Sequence, residues 1–129
     1  MKTLLFLSLI FVAFACQQEE EVKKKKFEDL VVIKDGVYTE YYPGKKNIKL
    51  QGGLNKENER HGRWVFYSEA KTELSVTHYN NGLKDGHSIV KYPNGTIFYY
   101  GEYRNDKKIG VWKTYDEKSK LAEEKDFGL

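Results

Sequence analysis

The stretch Leu83–Tyr103, LKDGHSIVKYPNGTIFYYGEY, decides the fold, because the rest of the chain says it again. Taken alone it looks like a reactive loop: Asp85 stands beside Gly86 and His87, with tyrosines close behind. Outward from it, Gly62, Gly86 and Gly110 recur every 24 residues, and so do Tyr79, Tyr103 and Phe127. Trp64 and Trp112 each stand two residues after a repeat glycine, where Ser88 takes the middle place. Tyr67 and Tyr115 each stand five after it. A looser copy begins at Gly36, so DGVYTEYYPG, HGRWVFYSEA, DGHSIVKYPNG and IGVWKTYDEKS align. A period of this length marks a repeat architecture, and it has to be read before any site is proposed.

Each unit has one physical reading. Glycine tolerates the positive φ of a tight turn, so Gly36, Gly62, Gly86 and Gly110 are expected as turn glycines. Strand-forming Trp, Tyr, Val and Ile follow. A second turn comes next, written YPNG in one copy and YDEKS in another. The second strands are TELSVTHY, TIFYYGEY and KLAEEKDF. One β-hairpin per unit, taken serially, predicts an all-β antiparallel meander. Upstream, the run Leu30–Ile33 closing at Asp35-Gly36 reads as a further strand and turn. The expected repeat domain is residues 27–129, with units near 36–61, 62–85, 86–109 and 110–129.

The pattern G-x-W-x-x-Y, then a turn, an apolar strand, Y-x-N-x and K-x-G, resembles the variant MORN repeat of bacteria. The resemblance covers about Gly36 to Leu129. Ser88 departs from it in the third copy and Tyr38 in the first, which also carries two extra residues. It implies stacked hairpins and a binding role without catalysis or cofactor. Members of that family include antitoxins of bacterial toxin–antitoxin pairs. An exported chain fits a cytosolic antitoxin poorly and leaves an immunity-like role as an alternative.

Export is read from the first residues. Met1-Lys2-Thr3 precedes the apolar run Leu4–Phe14, and Ala13-Phe14-Ala15-Cys16 follows. The run is too short to span a bilayer, which takes roughly 20 residues, and suits a signal peptide over 1–15. Cys16 is the only cysteine, so no disulfide forms within the chain. The signal resembles the lipobox of bacterial lipoproteins, with Ala13 where leucine is commoner. That implies diacylglyceryl attachment at Cys16 and a membrane-anchored place in the bacterial cell envelope, at the outer membrane and the cell surface. Residues 16–26, CQQEEEVKKKK, are too polar to offset ordering entropy and are expected to form a flexible tether. Net charge is +3 from 22 basic and 19 acidic residues, too balanced to imply nucleic acid.

The chemistry-bearing side chains have bland readings. His61, His78 and His87 fall in different copies without metal-ligand spacing. Asp35-Gly36-Val37 repeats the Asp85 turn without a histidine, which points to turn chemistry. No copy carries a catalytic set of its own, so no enzyme, metal or cofactor is expected. The aromatics carry more information. All ten tyrosines and both tryptophans lie from Tyr38 onward. Alternation puts Trp64 and Phe66 on one face of the sheet, Val65 and Tyr67 on the other. Trp64 and Trp112 are read as packing residues, and the face with Tyr67 and Tyr115 as the candidate binding surface. A protein partner ranks first, a glycan or cell-wall ligand second, an exported hydrolase last.

Overall fold

The computed structural model describes residues 19–21, 23 and 30–129. The chain divides into two compact units between Val31 and Val32. Nine strands form one sheet in strict chain order: β1 Val31–Lys34, β2 Val37–Tyr41, β3 Ile48–Leu54, β4 Arg60–Tyr67, β5 Glu73–Asn80, β6 Leu83–Lys91, β7 Ile97–Arg104, β8 Lys107–Tyr115 and β9 Leu121–Asp126. From β2 to β9 every pairing is antiparallel, so the fold is the expected all-β meander.

Two kinds of turn alternate along it. At one end Asp35-Gly36, Asn81-Gly82 and Asn105-Asp106 each put two successive residues at positive φ. That is the primed two-residue turn, whose twist matches its flanking strands. At the other end the loops starting at Ser68, Tyr92 and Asp116 close with a left-handed Lys71, Gly95 or Ser119. These loops are tied sideways. The Tyr42 hydroxyl donates to the Tyr67 carbonyl at 2.8 Å, and the Tyr92 hydroxyl to the Tyr115 carbonyl at 2.9 Å.

The repeat glycines need a correction. Gly36 is a turn residue, but Gly62, Gly86 and Gly110 lie inside β4, β6 and β8. All three have positive φ, at 74°, 103° and 59°. Each sits at a bulge: between the pairs Gly52↔Trp64 and Gly53↔His61, for example, β4 carries Gly62 and Arg63 in excess. Toward the following strand the ladder stays regular, as in Gly62↔Tyr79 and Gly86↔Tyr103. Positive φ was readable from glycine, but its use was not, because a bulge and a turn ask the same of the backbone.

A single layer buries little. Trp64, Val65, Ile109 and Trp112 are the buried apolar side chains among the described residues, with Thr39, Glu40 and Ser88 the buried polar ones. Glu40 is neutralised by Lys49, whose ammonium lies 2.6 Å from its carboxylate. In place of a two-layer core, cross-strand stacking holds each unit. Of the segment 16–26, the described residues Glu19–Glu21 and Lys23 are helical. Glu19 and Lys23 stand at i, i+4, the spacing at which opposite charges support a helix turn. The signal segment 1–15 and Cys16 lie outside the described residues. No helix among the described residues is long and apolar enough to cross a membrane.

Candidate functional site

Register places the two tryptophans on one face and shows how each is seated. Trp64 lies over Gly52, and Trp112 over Gly101 across the β7–β8 ladder. A Cβ on either glycine would stand 2.2 Å from the indole, so no other residue fits beneath it. Each ring nitrogen then donates to a backbone carbonyl, Trp64 to Gly53 at 2.9 Å and Trp112 to Glu102 at 3.2 Å. Ser88 takes the third seat and faces Thr77, the two hydroxyl oxygens 3.0 Å apart. The aromatic rings gather around the seats. Tyr38 and Tyr79 flank Trp64 at 5.3 and 6.1 Å between ring centroids. Tyr99, Tyr103 and Phe127 surround Trp112 at 5.8, 4.8 and 6.4 Å.

Cations lie over these rings. The Arg60 guanidinium is 4.4 Å from the Trp64 ring, the Lys84 ammonium 4.9 Å from Tyr103, and the Lys108 ammonium 4.3 Å from Trp112. Arg60 also donates to the Tyr79 hydroxyl at 3.2 Å. Burial first, then the Glu40 carboxylate, holds the Tyr38 phenol above its ordinary value. Burial first, then Tyr99, does the same for Tyr103. Sequence reading did not single out these three cations, although Arg60, Lys84 and Lys108 obey the same 24-residue period as the glycines. Nor did it single out Gly52 and Gly101, whose role exists only across a strand pair.

The opposite face is more dispersed. Tyr115 stacks on Tyr100 at 6.1 Å and 19° between planes. Tyr67 instead borders a hollow of roughly 330 Å³ with Lys46, Ile48 and Lys71. The two tyrosines named from the sequence therefore do not share one patch: each serves its own hairpin pair, and its carbonyl takes the tyrosine latch from the neighbouring loop. The histidines lie on three strands, His61 on β4, His78 on β5 and His87 on β6. His78 Nδ1 sits 3.0 Å from the His87 carbonyl oxygen. Asp85 accepts the Asn105 backbone N–H at 3.2 Å, as a turn residue does. Among the described residues no three His, Cys, Asp or Glu side chains converge as metal ligands. No family model matches the chain, and neither do the curated proteins or the solved structures compared with it.

Proposed function

We propose that this chain is an exported lipoprotein, anchored in the bacterial cell envelope through Cys16, whose variant MORN-like sheet serves as a non-catalytic module for protein binding or assembly. The observation that supports the sheet's role is the regular array on its tryptophan face. Buried indoles fix the surface, and half-exposed tyrosines and cations repeat across it. Tyrosine and arginine are favoured where proteins meet partners. The His78 and Asp85 side chains are engaged in local backbone contacts, which is what a binding scaffold asks of them.

Glycan binding stands as a second reading, favoured by half-exposed aromatic side chains and cations recurring together on one face. The anchor is tested by expressing the chain and its Cys16→Ser variant in a host that processes lipoproteins. Wild type should enter the membrane fraction with an acyl adduct visible by mass spectrometry, and the variant should not. Equal partitioning without an adduct would remove the anchor. Affinity capture from native membranes tests the module: a partner lost on a triple Arg60, Lys84 and Lys108 substitution supports it.

A further inference from the structure

Arg60, Lys84 and Lys108 each precede a bulge glycine by two residues, and each returns across the face onto an aromatic ring. Lys125 extends the row, its ammonium 5.0 Å from the Phe127 ring. The ion pairs among the described residues are Lys49–Glu40, Arg63–Glu73 and Lys113–Glu124, so none of these four cations is held by a carboxylate there. The overall charge of +3 is small, and the row is a local concentration on one face. Arg60, Lys84 and Lys108 stand on β4, β6 and β8, every second strand of the sheet. Adjacent strands are about 4.8 Å apart, so the cations recur at roughly 10 Å, perpendicular to the strands.

We propose that this row binds a linear acidic glycan carrying one carboxylate or sulfate per disaccharide. The inference rests on the second reading above, glycan binding, and names the ligand class of the tryptophan face. The spacing matches two sugar units of an extended chain, which puts one anion against each cation. Beneath the cations, Tyr79 and Tyr103 are half-exposed and Phe127 is 41% exposed, so a sugar ring would meet the uncovered edges of these rings beside the charged groups. A hollow of roughly 270 Å³ between Tyr99, Lys108, Trp112, Lys125 and Phe127 ends the row, with the Glu123 carboxylate on its wall set against the two lysines. A neutral glycan would leave the cations without work. A cation on a ring keeps its outward N–H groups for an anion, and the ring limits its motion before the ligand arrives.

The test uses the full chain in detergent with hyaluronate oligosaccharides of increasing length, beside neutral dextran and poly-L-glutamate. Hyaluronate should bind, gaining affinity up to the length that reaches all three cations. It should be released at about 1 M salt, where the Debye length is near 3 Å. Lys84→Gln and Lys108→Gln should each weaken binding roughly 2- to 5-fold, as exposed ion pairs do. Lys84→Arg should retain it. Lys118→Gln, in the loop at the other end of the hairpin, should change nothing. Dextran or polyglutamate binding as well as hyaluronate overturns the inference, as does a Lys84→Gln variant that behaves like Lys118→Gln. Hyaluronate that fails to bind overturns the glycan, and a protein partner still captured from native membranes would then leave the module standing.

Discussion

The seats under Trp64 and Trp112 differ from the seat under Ser88, and the difference shows what the repeat conserves physically. Where the strand offers an indole, its neighbour offers a glycine, Gly52 or Gly101. Where it offers a small hydroxyl, its neighbour offers Thr77. Large over nothing and small over small fill the same gap. Both arrangements leave the seat's outer residue buried, at 3% and 5% exposure for the tryptophans and 4% for Ser88. The unit of design is therefore the cross-strand pair and not the residue, and a serine in a tryptophan position is a compensated exchange.

That comparison can be broken first at the large seat. Trp112→Ala removes a buried indole and leaves Gly101 unable to fill the space, so it should cost about 3–5 kcal/mol in chemical denaturation. Ser88→Ala should cost far less, and equal losses at the two seats would dissolve the distinction. Gly101→Val comes next. Its Cβ meets the ring itself, and about 3 kcal/mol should be lost, read as a lower melting temperature.

The bulges sharpen the comparison by separating space from conformation. A Cβ at Gly62 or Gly110 meets nothing within 4 Å, so only the positive φ opposes a side chain there. At Gly86 the Cβ would also stand 3.2 Å from that of His78. Gly62→Ala should cost about 1 kcal/mol and Gly86→Ala about 2. Equal losses in thermal melts would mean that the His78 contact adds nothing to the strain at Gly86. Thr77→Val should cost about as much as Gly62→Ala, about 1 kcal/mol, because it removes one hydroxyl from the small seat and leaves Ser88 short of a partner.

The weakest effect is alkaline. Tyr38 and Tyr103 have phenols raised above their ordinary value, and the hydrogen bond to Glu40 raises Lys49 first among its causes. Groups raised in the folded state contribute fully below their unfolded pKa and lose that contribution as pH climbs through the folded one. Melting temperature should hold up to about pH 10 and fall above it, less steeply in Tyr103→Phe. An unchanged slope in that variant would place the phenol's burial in doubt.

Much of the meander was legible because the signals are local. TELSVTHY, TIFYYGEY and KLAEEKDF became β5, β7 and β9 within a residue or two, and Asp35-Gly36 closed a hairpin. The bulges were hidden, since Gly62, Gly86 and Gly110 promise positive φ without saying that strands continue through them. The seats were hidden more deeply. Gly52 and Thr77 acquire meaning only once register sets them against Trp64 and Ser88, and two extra residues in the first unit disguise their equivalence. The cation row was visible in the period of Arg60, Lys84 and Lys108, but no local pattern says that a residue before a bulge folds back over a ring.

The pair as the unit of design is tested most directly by converting one seat into the other. A double-mutant cycle on Gly101→Thr and Trp112→Ser, followed by urea denaturation, gives the coupling between them. Each single variant should be strongly destabilised, by overcrowding in the first and a void in the second. The double variant, which copies Thr77 and Ser88, should recover about 1–3 kcal/mol relative to their sum. Losses that add within roughly 0.5 kcal/mol would show that the two positions do not share a seat, and would contradict the account.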